Sequence, residues 1–116
     1  KNIVIDKVTI PMIGDKRSRY QYIRGEKMHQ RVITNTWIKS NRTCNYLGEW
    51  HSHPNSLAIP SEMDIETMYS ILNDKSTVAN FLVLMILKVN HDSFIEISAI
   101  TFLASGHEIE CQIEIT

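Results

Sequence analysis

His51 and His53 stand two residues apart, Pro54 follows directly, and after seven intervening residues, 54–60, comes the pattern Ser61-x-x-Asp64. Few folds accept that arrangement. The segment from Cys44 to His53 reads as a β-strand, and side chains two apart on a strand leave the same face, so both imidazoles are presented to one point. Pro54 removes a ladder donor and ends the strand, while Asn55, Ser56 and Pro60 make the connection a loop. Ser61 then takes the place of a helix N-cap with Asp64 at the third helical position, where a first-turn carboxylate can be aimed back at the strand end. Two ring nitrogens and one carboxylate converge.

Three protein donors of N and O type with a fourth position open is how catalytic zinc is held, whereas structural zinc sites are closed by four side chains, commonly including thiolates. Each half of the pattern has a plainer reading. Alone, S-x-x-D is a capping box, and H-x-H on a strand is two ordinary histidines, one of them satisfied by a backbone carbonyl. At this spacing, together, they predict an open metal site on His51, His53 and Asp64.

The run His51-Ser52-His53, seven residues, Ser61, two residues, Asp64 resembles the signature of the JAB/JAMM (MPN-domain) metalloproteases. Tyr46-Leu47-Gly48-Glu49-Trp50-His51-Ser52-His53-Pro54 is most similar to their prokaryotic JAB branch. The resemblance implies one zinc ion on His51, His53 and Asp64, and a Ser61 hydroxyl that hydrogen-bonds the tetrahedral intermediate formed at the scissile carbonyl. It also implies a glutamate that takes the proton of the attacking water. In the family this residue lies in an E-x-G-G-like segment ahead of the strand that Asn2 to Ile10 resembles, and such a segment is not found here. With a start at Lys1 rather than Met, this suggests a truncated gene product or part of a longer chain.

A length of 116 residues suits one domain with one core, and 43% hydrophobic with 22% charged residues is ordinary for a globular protein. A formal net charge of -1, with Lys and Arg scattered, gives no electrostatic case for nucleic acid. Two cysteines, Cys44 and Cys111, are too few for a disulfide framework, and no apolar run is long enough to span a bilayer. The expected compartment is the cytoplasm. Cys44 precedes His51 by an odd offset, which favours a small buried residue over a further ligand.

In chain order, Asn2 to Ile10 alternates apolar β-branched residues and reads as a strand, Gly14-Asp15-Lys16 as a turn, and Ser18 to Arg24 as a second strand. Glu26 to Ser40 has Met28, Val32, Ile33, Trp37 and Ile38 at helical offsets and reads as an amphipathic helix laid on the sheet. The second helix runs from Ser61 to Asn73, with Met63, Ile65, Met68, Tyr69, Ile71 and Leu72 on its buried side. Phe81 to Val89 has the composition of a strand buried on both faces. Asn90-His91-Asp92 turns the chain into Phe94 to Leu103, and a final strand, Glu108 to Ile115, sets Ile109, Cys111, Ile113 and Ile115 against glutamates and a glutamine. The expected fold is α/β, a mixed β-sheet with flanking helices. The family's fold, similar to that of the cytidine deaminases, agrees. His29, His91 and His107 have no ligand spacing.

Glu26, at a helix start, and Glu49, which shares strand parity with the histidines, are in-chain candidates for the base. The resemblance supports neither. It implies a zinc isopeptidase or peptidase acting on ubiquitin-like modifiers or their C-terminal tails, accompanied by activating-like and conjugating-like enzymes of the same operon, including antiphage operons. An inactive MPN-like binding scaffold and a small-molecule amidohydrolase on the same site are the alternatives.

Overall fold

Nine consecutive residues, Phe81–Val89, form the strand around which the second half of the chain is built. In the computed structural model, residues 2–9, 16–17, 22–23, 26–54, 57–74, 79–89 and 94–115 are described. The chain divides into two compact units, Lys1–Tyr46 and Leu47–Thr116.

The first unit contains a short antiparallel pair, β1 (Lys16–Arg17) with β2 (Tyr22–Ile23), and the helix α1 (Glu26–Lys39). Val32, Ile33 and Trp37 are half-buried as expected, but Ile38 is 65% exposed. It sits one residue from the helix end, where the apolar stripe no longer governs. Past Lys39 the backbone turns over through Asn41 and Arg42, at φ 57 and φ 63, and Arg42 N–H donates to the Trp37 carbonyl at 2.9 Å. Left-handed residues of this kind recover carbonyls that a helix end leaves unpaired.

Residues 2–9 are not a strand. Their β-branched alternation meets the pattern, but a strand exists only through its ladder, and Ile3, Val4, Ile5 and Val8 remain exposed. The turn at Gly14-Asp15, most of the expected strand from Ser18 to Arg24, Asn55, Ser56, the Asn90-His91-Asp92 turn and the side chains of Glu26, Met28 and His29 lie outside the described residues.

The second unit holds a four-stranded sheet in the order β3-β4-β5-β6, comprising β3 (Gly48–Pro54), β4 (Phe81–Val89), β5 (Phe94–Leu103) and β6 (Glu108–Cys111). β3 runs parallel to β4, and the other pairs are antiparallel, so the sheet is mixed and the fold is α/β. A parallel pair needs a crossover, and α2 (Glu62–Leu72) provides it.

β4 is buried on both faces, as its composition predicts. Leu82, Leu84 and Ile86 are within 2% of full burial on one face, and Val83 is 5% exposed on the other. α2 lies on the first of these faces, with Met68 and Leu72 buried and the Tyr69 ring edge-on to Phe102 at 5.5 Å. Burying each such side chain stabilises the fold by about 1.5–3 kcal/mol. Met63 departs from expectation at 67% exposed. It belongs to the first turn of α2, in which Asp64 is the residue that meets β3.

Two strand bounds also differ from the reading of the sequence. β3 begins at Gly48 rather than Cys44, and β6 ends at Cys111 rather than Ile115. Among the described residues β6 pairs only with β5, and its register ends at Ala99↔Cys111, so Ile109, Ile113 and Ile115 are exposed despite their alternation. Apolar periodicity needs a second layer to become burial. Among the described residues no helix is long and apolar enough to cross a membrane.

Candidate metal centre

The site is made by the C-terminal half of β3 and the start of α2. Cross-strand register puts Glu49, His51 and His53 opposite Leu84, Ile86 and Lys88, hence on the face that α2 covers. Gly48 is required for this placement, because a Cβ there would meet the backbone carbonyl of Val83. The two imidazoles stack with centroids 4.9 Å apart and planes 20° from parallel, as same-face side chains two apart should.

Ser61 is the N-cap of α2. Its Oγ accepts the Asp64 N–H at 3.1 Å, and its own N–H donates to Asp64 Oδ2 at 2.8 Å, which closes a capping box. That same Oδ2 lies 3.3 Å from His51 Nε2 and 3.5 Å from His53 Nε2. The carboxylate that closes the cap is therefore the one that faces both imidazoles, and the cap orients it. A carboxylate in the first turn is also favoured by the helix dipole.

Several features of this cluster fit a metal. His51, His53 and Asp64 each offer one donor atom, all within 4.8 Å of one another. For zinc bonds of about 2.0–2.2 Å to nitrogen and oxygen, the edge of a tetrahedron is about 3.3–3.6 Å, the range in which both nitrogen-to-carboxylate distances fall. His51 Nε2 is buried without a hydrogen-bond partner among the described residues, its approach to Asp64 lacking hydrogen-bond geometry. A buried polar atom in that condition asks for a partner of another kind. His53 Nδ1 lies 3.1 Å from the Leu57 carbonyl. A carbonyl only accepts, so Nδ1 carries the proton and Nε2 presents its lone pair to the centre.

Ser61 is exposed at the rim. Its Oγ accepts the cap bond through a lone pair, which does not engage the hydroxyl proton. Glu49 shares the histidines' face and is half-buried, but lies two residues, roughly 6.6 Å of strand, behind His51 and outside the cluster. Cys44 is half-buried in the other unit, its Sγ 3.6 Å from Asp6 Oδ1, and is not among the clustered donors. His107 is exposed and its Nδ1 lies 3.1 Å from Ser105 Oγ.

The reading of the sequence missed the loop that supports the site. Ala58 is 6% exposed and its carbonyl accepts a 2.6 Å hydrogen bond from Ser98 Oγ on β5. The atoms accepting from His53 and Ser98 are backbone carbonyls, which have no signature in residue type.

Donor set and frame define a class, the α/β domains in which a strand-borne His-x-His pair faces an aspartate in a capping box, a set that could hold a metal. The model of the prokaryotic homologs of the JAB domain matches residues 4–99, and the chain belongs to that family. Similar curated proteins carry the name CD-NTase/cGAS isopeptidase. The one from Pseudomonas aeruginosa is 36% identical over 63 residues, 54% of this chain and 40% of that protein. Those from Escherichia coli and Vibrio cholerae are 34% identical over 67 residues and 32% over 77, covering 58% and 66% of this chain and 43% and 49% of theirs. The chain thus spans less than half the length of the curated relatives it matches.

Proposed function

We propose that the protein is a cytoplasmic zinc-dependent isopeptidase or peptidase that hydrolyses bonds at the C-terminal tails of ubiquitin-like modifiers. Zinc would be held by His51, His53 and Asp64. The observation that carries this reading is the donor set, two imidazole nitrogens each 3.3–3.5 Å from one carboxylate oxygen, with His51 Nε2 buried and without a hydrogen-bond partner among the described residues. The name shared by the relatives supports the bond type, and it points to a CD-NTase/cGAS enzyme as the protein from which the modifier is released. Activating-like and conjugating-like enzymes of the same operon fit as partners.

A zinc ion, when bound, polarises a carbonyl and lowers the pKa of a coordinated water towards about 7. The remaining work belongs to the chain. The Ser61 hydroxyl donates to the oxyanion that develops at the scissile carbonyl, a contribution of order 10²–10³ in rate for such donors. The Ser61 N–H keeps Asp64 aimed, and the Leu57 carbonyl keeps the His53 proton on Nδ1. A general base takes the proton of the attacking water and returns it to the leaving amine, worth about 10²–10⁴. Glu49 is set back along β3, so we assign the base to a glutamate of the kind the family carries ahead of its first strand.

Elemental analysis and hydrolysis of a ubiquitin-like fusion test this, using the 116-residue chain and a form extended upstream by a glutamate-bearing segment. About one zinc per chain is expected in both, with turnover in the extended form. His51→Ala and Asp64→Ala should each abolish stoichiometric zinc, and metal retained in both variants would overturn the site. Zinc without turnover in the extended form, despite specific binding of the modifier, would instead establish the scaffold reading.

A further inference from the structure

We infer that Ser98, on β5 and outside the donor set, is a positioning residue for the metal centre. It acts through the loop at residues 57–60 on the protonation site of His53. The inference rests on the metal reading above for its effect on zinc, but not for its effect on the imidazole.

The path is short. Ser98 Oγ donates to the Ala58 carbonyl at 2.6 Å, and the adjoining residue, Leu57, supplies the carbonyl 3.1 Å from His53 Nδ1. Ala58 itself is 6% exposed, so the loop is anchored at that residue while Leu57 and Ile59 on either side are 63% and 60% exposed. Side-chain packing does little for these neighbours. Among the described residues, what fixes the Leu57 carbonyl is the Ala58 anchor, and its directional component is the Ser98 hydroxyl.

Register shows why Ser98 can do this. His51 pairs with Ile86 and Ile86 pairs with Ser98, so His51 and Ser98 stand in one row on the same face, two strands apart. Two interstrand spacings are about 9.6 Å, and the loop bridges that gap over Ile86, itself 1% exposed. A small hydroxyl in this row reaches up to the loop, where an apolar side chain would leave the Ala58 carbonyl without its partner. The consequence reaches the metal because a neutral imidazole offers a lone pair only at the nitrogen without the proton. If the Leu57 carbonyl drifts, the proton redistributes between Nδ1 and Nε2, and a fraction of molecules presents N–H to the centre instead of a lone pair. Supporting groups one step outside the donors typically set metal affinity by 10–100-fold.

The test compares Ser98→Ala, Ser98→Cys and Ser98→Thr with the parent chain. Zinc affinity is read by competition with a chromogenic chelator. The His53 tautomer is read in the metal-free chain by two-bond proton–nitrogen correlation at a pH where the ring is neutral. Ser98→Ala should weaken zinc about tenfold and turn a single Nδ1–H tautomer into a mixture. Ser98→Thr, which keeps the hydroxyl, should restore both. Ser98→Cys, a weaker donor of similar size, should fall between, and it carries the test if the alanine variant does not fold. A folded Ser98→Ala or Ser98→Cys chain with the parent tautomer and zinc affinity within twofold would overturn the inference, whatever its Tm. If the parent chain binds no zinc, the metal reading fails on its own, and the tautomer spectra still decide the role of Ser98.

Discussion

The first and last turns of α2 are held by different physics. At its start, Ser61 is exposed and Asp64 half-buried, and their geometry comes from two hydrogen bonds of 2.8 and 3.1 Å. At its end, Met68 and Leu72 are buried on the sheet and Tyr69 meets Phe102 edge-on, with apolar contact as the main interaction. Apolar packing is strong and poorly directional, whereas capping bonds are weak and aim an atom. The same helix therefore anchors the fold with one end and points a carboxylate with the other. Changes at the two ends should separate stability from metal binding.

The largest effect is expected at the packed end. Phe102 is fully buried near the C-terminal end of β5, and Phe102→Ala should cost about 3–5 kcal/mol in chemical denaturation, a large share of a typical domain's stability. Any molecules that remain folded should still bind zinc. Gly48→Ala comes next and strains the comparison, since the added methyl would press on the Val83 backbone and push β3 from β4. About 1–3 kcal/mol should be lost. Because β3 also carries both histidines, zinc affinity should fall with Tm. An unchanged affinity would mean that the strand end is held independently of its start.

This division also explains what could be read from the sequence. The bounds of β4 and β5 and the capping box of α2 were legible because local composition and local chemistry agree there. His51, His53 and Asp64 were legible for a similar reason, a two-residue strand period followed by a cap three residues long. The strand expected over Asn2 to Ile10 is absent from its described residues 2–9, and the last strand stops at Cys111 rather than Ile115, since a strand depends on what lies opposite and alternation alone is silent about that. Met63 and Ile38 follow helical spacing but sit at helix ends, beyond the surface that the spacing serves. The carbonyls of Leu57 and Ala58 could not be read at all, because any residue brings a carbonyl. Gly48 had a readable signal, a glycine opening a strand, which often marks a close backbone approach.

Ser61→Ala probes the polar end and should be smaller, about 1 kcal/mol for the lost N-cap. The backbone N–H of residue 61 remains to hold Asp64 Oδ2, so zinc should stay bound while turnover in the extended form drops by about 10²–10³. Calorimetry, zinc content and a fusion-cleavage assay on one preparation would check all three. Large zinc loss would show that the hydroxyl, rather than the backbone, aims the ligand.

The smallest effect is expected at Tyr69, and only in alkali. Its hydroxyl is shielded and without a hydrogen-bond partner of good geometry among the described residues, and its pKa is raised above the ordinary 10.0, first by burial and then by the negative charge of Glu108. Tyrosine is neutral when protonated, so a raised value means that the folded state holds the proton more tightly than the unfolded one. The associated stability is fully present below about pH 10 and is lost as pH climbs through the folded value. Tyr69→Phe removes the titration. Its denaturation midpoint should match the parent's near neutrality and decline less steeply above about pH 10, with Glu108→Gln falling between them. Other tyrosines and lysines titrate in the same range but are common to all three chains, so the difference isolates Tyr69. Parallel decline of parent and Tyr69→Phe would detach this hydroxyl from the alkaline limit, and a change in zinc binding near neutrality would show that the two ends of α2 are coupled after all.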